Sequence, residues 1–466
     1  MKIIDTIDCF IPGDWGNETL SEEAPCKVSC IRGADIVPIE NNDFSHIPTR
    51  YISQQSFDTK CLQAGDIIVE KSGGSPTQST GRVSYVSQEL IDSVGSVVCS
   101  NFCVAFRVKQ NWNPLYIYYY LQHVYNNGVF FNFEGKTSGI KNLQLEAAYN
   151  AVPIEDVNKT TQDSIVAVLD SIQKKMTINR QINQNLEALA KQLYDYWFVQ
   201  FDFPNEEGKP YKSSSGAMVW NEELQMDIPE SWNVCRLNEF ICKNNTGDWG
   251  ADEYSANTPI EVGCIRGADI VKLNGLPKRY IKESNKAKLL SEWDIVIEVS
   301  GGSPVQATGR SAFITPGVIK RNGGNLTCSN FCHAFSFSDF RYSAYFFYVW
   351  KMFYDNNIMF NFEGKTSGIK NFMTETFIAN KWIKAPEGLA YLFFNRVKEL
   401  YAKIDANIEE NNNLIKQRDE LLPLLMNGQV SLNSDLSSFL LYYRVPNKSE
   451  NNEREHHSGD SYGNAA

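Results

Sequence analysis

Residues 160–199 read TTQDSIVAVLDSIQKKMTINRQINQNLEALAKQLYDYWFV and contain neither proline nor glycine. Apolar residues recur in this stretch at spacings of three and four, which is typical of an amphipathic helix with a coiled-coil-like seam. At about 1.5 Å per residue such a helix would be roughly 60 Å long, more than one compact domain needs. The pattern therefore predicts a long helix that acts as a spacer. The predicted seam is Ile165, Val168, Ile172, Ile182, Leu186, Leu189, Leu193 and Tyr196, with Lys175 and Asn179 in the same line.

A second stretch of the same kind lies 232 residues further along the chain. The polar break at Lys175 and Asn179 falls on Asn407 and Asn411 of this second copy. Polar residues in an apolar seam fix register and partner geometry at some cost in stability. We therefore expect the two helices to be copies that pair with each other. The second seam is Val397, Leu400, Ile404, Asn407, Asn411, Leu414, Arg418, Leu421 and Leu425.

The composition is that of an ordinary soluble globular protein, with 42% hydrophobic and 21% charged residues among 466. This length allows about three domain-sized units. The net charge of −11 weighs mildly against nucleic-acid binding, although the distribution of charge matters more than its sum. No apolar run is long enough to span a membrane and no signal-peptide pattern is present, so we predict a cytoplasmic protein. Eleven cysteines, an odd number, indicate free thiols.

The strongest signal in the sequence is an internal duplication. Several segments of the first half return in the second half at an offset between 228 and 234 residues. The segments Gly13–Gly16, Cys30–Val37 and Phe131–Asn142 return without a change as Gly247–Gly250, Cys264–Val271 and Phe360–Asn371. Cys99–Cys103 also returns unchanged, as Cys328–Cys332, and Asp66–Arg82 returns with small differences as Asp294–Arg310.

Each copy of the module has the pattern of an α+β fold. Short apolar runs such as Asp66–Glu70 and Val104–Val108 predict strands, and Gly, Pro, Ser and Asn separate them. The aromatic runs Pro114–Tyr125 and Tyr345–Phe353 predict helices that pack on a sheet. We divide the chain into a first module (1–157), a central long helix (158–203), a connector with the second module (204–385), a C-terminal long helix (386–430) and a polar tail (431–466) that we expect to be disordered.

The search for catalytic motifs found none. Glu134–Thr137 reads like the end of a phosphate-binding loop, but Phe130 stands where that loop needs glycine, and Met359 does so in the second copy. No signature of an adenine methyltransferase or a nuclease is present. The cysteine pairs of Cys99–Cys103 and Cys328–Cys332 could hold a metal with further ligands, but buried thiols on one strand face explain them better. We therefore assign no catalytic residue, metal or cofactor to this chain.

Two loops in each module are suited to contact DNA. They are rich in hydroxyl and amide groups and contain Arg or Lys, the side chains that contact phosphates and base edges. The alternative is that their glycines and serines mark tight turns and their lysines are merely solvated. The candidate DNA-binding residues of the first module are Arg32, Ser72, Ser75, Gln78, Thr80, Arg82, Lys136, Thr137, Ser138, Lys141 and Asn142. Those of the second module are Arg266, Ser300, Ser303, Gln306, Thr308, Arg310, Lys365, Thr366, Ser367, Lys370 and Asn371.

Two pairs of residues leave the alternatives open. Trp15 and Trp249 either anchor the core of their modules or offer a surface on which a base stacks. Arg32 and Arg266 either reach a phosphate or pair with the nearby Asp35 and Asp269.

The order of these motifs, repeated twice between about residue 13 and residue 430, resembles the specificity (S) subunit of type I restriction-modification systems. Ile228–Trp232 is similar to the Pro-x-x-Trp start of a target recognition domain in that family. Gly65-Asp66-Ile-Ile resembles the Gly-Asp-x-Leu strand of that domain, and Lys141–Leu143 followed by Val152–Ile154 resembles its end. Gln162–Leu169 resembles the opening of the family's long helix.

The resemblance implies two target recognition domains of α/β type, separated by two long helices that form an antiparallel coiled coil. It implies a non-catalytic scaffold that binds double-stranded DNA and reads the two halves of a split target. Two methyltransferase (M) subunits, which carry S-adenosylmethionine, would dock on the helices; whether a restriction (R) subunit joins is left open. The expected docking positions are Ile165, Val168, Ile172, Leu186, Leu189, Leu193, Val397, Leu400, Ile404, Leu414, Leu421 and Leu425.

From the duplication we expect similar half-sites that approach an inverted repeat. Differences such as Lys71 against Val299, or Thr77 against Val305, could break that symmetry. Two other classes of function stay open at this point. One is a two-headed adaptor that binds protein or glycan. The other is a self-sufficient DNA-modifying enzyme, which would need a cofactor site that the sequence does not show.

Overall fold

The computed structural model describes residues 1–73, 78–137, 140–301, 305–366 and 369–428. The chain divides into two compact units. The first unit is formed by the described residues of Met1–Lys174 and Ile415–Ala466, and the second by those of Lys175–Leu414. Across the described residues, no helix combines the length and the apolar character that crossing a membrane requires.

The first unit is an α+β module. Its strands are β1 (Ile7–Pro12), β2 (Cys26–Ile31), β3 (Thr49–Ile52), β4 (Ile67–Glu70), β5 (Ser72–Gly73), β6 (Val83–Tyr85), β7 (Val97–Cys99), β8 (Cys103–Val108), β9 (Glu134–Thr137) and β10 (Ile140–Leu143). Its helices are α1 (Ile36–Glu40), α2 (Gln54–Lys60), α3 (Gln88–Val94), α4 (Pro114–Asn126), α5 (Leu145–Ala151) and the first part of α6 (Lys159–Tyr194). The strands form sheets of order β1-β8-β4-β6, β3-β2-β7 and β5-β10-β9.

The second unit repeats this topology. Its strands are β11 (Met218–Asn221), β12 (Met226–Pro229), β13 (Asn233–Arg236), β14 (Ile241–Thr246), β15 (Ile260–Ile265), β16 (Lys278–Ile281), β17 (Ile295–Glu298), β18 (Ser300–Gly301), β19 (Ser311–Phe313), β20 (Leu326–Cys328), β21 (Cys332–Phe337), β22 (Glu363–Thr366), β23 (Ile369–Phe372) and β24 (Lys381–Lys384). Its helices are the second part of α6, α7 (Pro316–Arg321), α8 (Ser343–Asp355), α9 (Thr374–Ile378) and most of α10 (Glu387–Met426), whose last turns belong to the first unit. The sheets β14-β21-β17-β19, β16-β15-β20 and β18-β23-β22 match those of the first unit strand for strand.

The predicted strands and helices form for the expected reasons. All four residues of β4 are buried, because this strand lies between β8 and β6 and has apolar neighbours on both faces. The aromatic run of the first module forms α4, which starts with Pro114 at its first turn and is capped by the side chain of Asn113. The corresponding run of the second module forms α8. The predictions of an α+β fold and of a duplicated module are confirmed.

The two long helices pair with each other in an antiparallel direction. Within the second unit, Asn179 Nδ2 donates to Asn411 Oδ1 at 2.9 Å, and Asn407 Nδ2 donates to Asn183 Oδ1 at 2.8 Å. Moving forward along α6 therefore means moving backward along α10. Asn179 and Asn411 are 1% and 9% exposed, so these two residues of the predicted polar break are buried and hydrogen-bonded. The prediction is wrong for Lys175, whose side chain is 49% exposed and pairs with Glu410 at the surface.

The predicted seam of α6 is wrong at three positions. Ile182, Leu189 and Tyr196 are exposed by 41%, 49% and 38%, whereas Ala190 and Tyr194 belong to the core. The reason is that α6 carries two apolar stripes, and spacing alone does not tell which one faces the partner helix. Ile165, Ile172, Val397, Ile404 and Leu425 are buried, and Val168, Leu186, Leu193, Leu400, Leu414 and Leu421 are half-buried.

The division of the chain into five segments stays a prediction. Each long helix begins in one unit and ends in the other, so the compact units do not coincide with the predicted modules. The predicted tail, residues 431–466, lies outside the described residues.

Candidate nucleic-acid interface

The candidate residues of the first module meet at the sheet β5-β10-β9, which we call the first hairpin sheet. Its strands pair Ser72 with Asn142 and Gly73 with Lys141. This pairing brings the start of the loop 71–82 beside the hairpin 134–143. The Ser72 hydroxyl donates to Asn142 Oδ1 at 2.5 Å, and in the second hairpin sheet, β18-β23-β22, the Ser300 hydroxyl donates to Asn371 Oδ1 at 2.6 Å.

A buried carboxylate ties the end of this loop to the hairpin. Glu134 Oε1 accepts hydrogen bonds from the Thr80 backbone N–H at 2.7 Å and the Thr80 hydroxyl at 3.1 Å. Its other oxygen, Oε2, lies 3.2 Å from Lys141 Nζ. The ammonium group also donates to the Gln78 carbonyl at 3.2 Å and lies over the Phe131 ring. We call Thr80, Glu134 and Lys141 the Glu134 cluster.

The second module contains the same arrangement, the Glu363 cluster. Thr308 donates to Glu363 through its backbone N–H at 2.7 Å and its hydroxyl at 3.1 Å, and Lys370 Nζ lies 3.0 Å from the carboxylate. Burial alone would raise the pKa of Glu363, but the bonds from Thr308 and Lys370 outweigh it and hold that pKa below its ordinary value. The carboxylate is therefore ionised at neutral pH and holds the loop end in place.

A second carboxylate fixes the arginine that follows each loop. Glu70 accepts two hydrogen bonds from Arg82, at 2.8 and 2.7 Å, and this pairing raises the pKa of the guanidinium. A Cβ on Gly33 or Gly73 would lie 2.4 or 2.9 Å from Glu70 Oε1, so a larger residue at either position would force the Glu70 carboxylate to shift. Glu298 and Arg310 repeat the pair in the second module with the same two distances.

The alternatives left open by the sequence have structural answers. Arg32 forms a two-point ion pair with Asp35, at 2.9 and 2.7 Å. Arg266 pairs with Asp269 in the same way, and this pairing lowers the pKa of Asp269. Trp15 and Trp249 are half-buried, and each lies under a guanidinium group, that of Arg50 at 4.3 Å and that of Arg279 at 4.2 Å from the ring centre.

The structure thus brings part of the candidate set together. Thr80 and Thr308 are buried and support the loops from inside, whereas Gln78 and Gln306 are exposed. The six cations whose side chains are described, Arg32, Arg82, Lys141, Arg266, Arg310 and Lys370, each pair with a carboxylate. Ser75, Ser138, Ser303 and Ser367 lie outside the described residues, as do the side chains of Lys136, Thr137, Lys365 and Thr366.

Sequence reasoning missed the carboxylates and one apolar residue of each module. Phe102 and Phe331 lie in the turn between β7 and β8 and in its counterpart, and they are 57% and 55% exposed. Each sits inside the repeated segment Cys-Ser-Asn-Phe-Cys. An apolar ring between polar turn residues, retained in both copies, is a signal that could have been used.

The cysteines of that segment are buried free thiols, as predicted. Cys99, Cys103, Cys328 and Cys332 are at most 1% exposed and form no disulfide. Burial raises the pKa of the Cys103 and Cys332 thiols to about 11. In the described part of the chain, no group of three or more His, Cys, Asp or Glu side chains is placed to hold a metal ion.

In the second unit, α6 carries a stripe of exposed apolar residues, which includes Ile182 and Leu189 from the predicted seam. Ile178, Ile182 and Leu189 are spaced by four and seven residues, and they are 49%, 41% and 49% exposed. These spacings place them within about 40° of each other around the helix axis. Tyr196, 38% exposed, follows in the π-helical turn Asp195–Val199 after α6 ends. We call Ile178, Ile182 and Leu189 the outer stripe.

These features define the class of protein: a duplicated scaffold in which two modules with equivalent polar hairpin sheets are carried on a pair of long antiparallel helices. Comparison with known proteins agrees with this class. Residues 35–188 match the family model for the type I restriction modification DNA specificity domain.

Relatives of known name are specificity subunits. The chain is 25% identical over 442 residues to the type I restriction enzyme MjaIX specificity subunit of Methanocaldococcus jannaschii, covering 90% of this chain and 94% of the relative. It is also 25% identical over 166 residues to the HindI specificity subunit of Haemophilus influenzae, covering 35% and 34%. Among solved structures, the S subunit from M. genitalium is similar, with 15% identity, 93% and 96% coverage and a TM-score of 0.47.

Residues 35–188 are thus similar to a DNA specificity domain, and over 90% of its length the chain is similar to a named type I specificity subunit.

Proposed function

We propose that this chain reads a bipartite DNA target, with one half-site contacted by each hairpin sheet. The observation that carries the proposal is the repetition of one hydrogen-bonded framework in both modules. The pairs Ser72–Asn142 and Ser300–Asn371 have the same geometry, and so have the Glu134 and Glu363 clusters. Frameworks that hold the same loop segments in the same conformation should favour similar base sequences.

The chemistry of the framework favours base recognition over phosphate attraction. Because the described candidate cations are already paired with carboxylates, they add little net positive charge to the surface. The exposed groups beside them, such as the Gln78 and Gln306 amides, can donate and accept hydrogen bonds at base edges. We therefore expect the exposed amide groups to discriminate bases, with the paired cations holding the loops in shape.

The halves of the target should be similar but not identical. The position before Ser72 is an exposed Lys71 in the first module and a buried Val299, 7% exposed, in the second. Thr77 lies outside the described residues, whereas its counterpart Val305 is 89% exposed. We propose that the target approaches an inverted repeat and departs from it at the bases that face these two positions.

The outer stripe supports the second half of the proposal, that methyltransferase subunits dock on the long helices. Three large aliphatic residues exposed on one helix face contribute nothing to the core of the second unit. A partner helix that covered them would bury apolar surface worth about 25 cal/mol per Å². The methyltransferase, not this chain, would carry S-adenosylmethionine.

The proposal is tested by expressing the chain together with adenine methyltransferase subunits from the same organism and sequencing the methylated DNA. We expect one split motif with related halves. A Gln78→Ala variant should relax the motif in one half, and Gln306→Ala in the other. Two unrelated halves would contradict the shared framework. If no DNA is bound or methylated, the alternative of an adaptor that binds protein or glycan becomes the better reading.

A further inference from the structure

Phe102 and Phe331 are large aromatic residues that are more than half exposed beside the hairpin sheets. Each follows an exposed asparagine at the tip of a tight turn, in which the Cys103 N–H bonds to the Ser100 carbonyl at 2.9 Å. The residues on either side of the exposed pair, Ser100 and Cys103, are both 1% exposed. The ring is therefore presented to solvent by a backbone that is fixed on both sides.

This turn is bound directly to the loop that begins the hairpin sheet. The Phe102 carbonyl accepts hydrogen bonds from the backbone N–H groups of Lys71 and Ser72, both at 2.9 Å. The Phe331 carbonyl accepts those of Val299 and Ser300 at 2.9 and 3.2 Å. The backbone of each phenylalanine is thus held against the first residues of a loop that we propose to contact DNA.

Exposed apolar residues that are scattered singly need no explanation. Here the same ring is exposed to the same extent at the same place in two modules of one chain. Burying the whole ring would stabilise the fold, and both modules leave more than half of it exposed. A function that requires an exposed, rigidly held ring accounts for this in both copies.

We propose that Phe102 and Phe331 insert as apolar wedges at a base step of the target, one in each half-site. Proteins that bend DNA often place Phe, Leu, Ile or Met between neighbouring base pairs, which unstacks them and kinks the duplex. The adjacent Asn101 and Asn330 side chains are exposed and can hydrogen-bond to the neighbouring base edges. This proposal rests on the proposed DNA-reading function and adds a mechanical role to it.

The test uses the full chain assembled with its methyltransferase subunits and duplexes that carry the methylated motif. 2-Aminopurine replaces single bases at successive positions of each half-site, except at the methylated adenines. We expect binding to increase its fluorescence at one step in each half-site. Phe102→Ala should abolish the increase in one half-site alone and Phe331→Ala in the other alone. Each should weaken binding roughly five- to a hundredfold, by analogy with the loss of one base–aromatic contact.

Two controls separate a wedge from other roles of the ring. Phe102→Leu should retain most of the fluorescence change, because a wedge needs an apolar side chain and not an aromatic one. Leu20→Ala removes another apolar side chain of the first module, 65% exposed, and should leave binding and fluorescence unchanged.

Three results would overturn the wedge while leaving the DNA-reading function intact. The alanine variants could bind and unstack the target like the unaltered chain. They could lose affinity with no half-site-specific change in fluorescence, which would indicate a surface contact, for example with a thymine methyl group. Phe102→Leu could behave like Phe102→Ala, which would indicate stacking on a base. An unaltered complex that binds no specific DNA would instead refute the proposed function itself.

Discussion

Lys141 either contacts DNA or supports the loop through its ion pair with Glu134, and variants of the two residues distinguish these roles. Lys141→Met removes the ammonium group but keeps most of the side-chain volume. The partner left behind, Glu134, has a side chain that is 7% exposed and retains only the two hydrogen bonds from Thr80. Glu134→Ala is more severe, because it removes the acceptor of both Thr80 groups and leaves a nearly buried ammonium unpaired.

The magnitudes follow from burial. Breaking one side of a buried ion pair costs about 3–5 kcal/mol, which we expect for Glu134→Ala. Glu134→Gln keeps an oxygen for Thr80 and removes the charge, so about 1–3 kcal/mol is expected. For a unit of this size, each kcal/mol corresponds to roughly 2–4 °C in the midpoint of thermal unfolding. Glu134→Ala should therefore lower that midpoint by roughly 6–20 °C.

Hydrogen exchange, followed peptide by peptide, locates the effect. Lys141→Met should reduce protection in β9, β10 and the end of the loop at Thr80, and leave the second module unchanged. Lys370→Met is the matched variant and should show the reverse pattern. Binding of the target is measured in parallel at several salt concentrations. Because Lys141 is already paired with a carboxylate, its loss should hardly change the salt dependence.

The reasoning would be refuted by the opposite combination. If Lys141→Met leaves protection and thermal unfolding unchanged but lowers the slope of log affinity against log salt by about 0.9, the lysine neutralises one phosphate. The ion pair with Glu134 would then be a resting state that DNA displaces.

Three further predictions concern the helices and pH. Asn411→Ala should destabilise the second unit by about 1–3 kcal/mol in urea unfolding, because it removes a buried amide that accepts from Asn179 and donates to the Met176 carbonyl. Asn411→Asp should cost at least as much, because it buries a carboxylate next to Glu410 and loses the donor to Met176. Leu189→Glu should weaken binding of the methyltransferase, measured by gel filtration, and leave the unfolding free energy unchanged. Ala188→Glu, at an exposed position on another face of the helix, should leave that binding unchanged. Because the pKa of Glu363 is lowered in the folded state, its carboxylate stabilises the fold at pH values above the ordinary carboxyl pKa of 4.5. This stabilisation is lost as the pH falls through the folded-state pKa. Glu363→Gln should therefore reduce the dependence of the unfolding free energy on pH in the acid range.

The sequence was sufficient for the features that depend on periodicity and repetition. The duplication, the aromatic helices and the pairing of the two long helices with asparagines in the seam all follow from patterns in one dimension, whereas the antiparallel direction was implied only by the family resemblance. The outward face of α6 does not, because two apolar stripes on one helix are equivalent until a partner is known. Ile182 and Leu189 were assigned to the wrong stripe for this reason.

The sequence also could not predict which basic residues of the candidate site are paired with carboxylates. Arg82 lies 12 residues from its partner Glu70 in the chain, and the two meet only because β4 and the loop end are adjacent in space. A list of basic residues in polar loops therefore looks like a phosphate-binding surface. In the folded protein these basic residues form ion pairs, which only the three-dimensional contacts reveal.

The pairing of these basic residues with carboxylates has a consequence for DNA specificity. A surface rich in unpaired cations binds any duplex, because phosphate attraction is independent of sequence. Pairing the cations internally, in a chain of net charge −11, reduces that attraction without removing the hydroxyl and amide groups that distinguish bases. Hydrogen-bonded base contacts contribute about 1–3 kcal/mol of discrimination each, so several in each half-site suffice to select a target. If methyltransferase subunits dock on the helices as we propose, they should supply much of the energy that holds the complex on DNA. We then expect the isolated chain to bind DNA weakly and the assembled complex to bind it tightly.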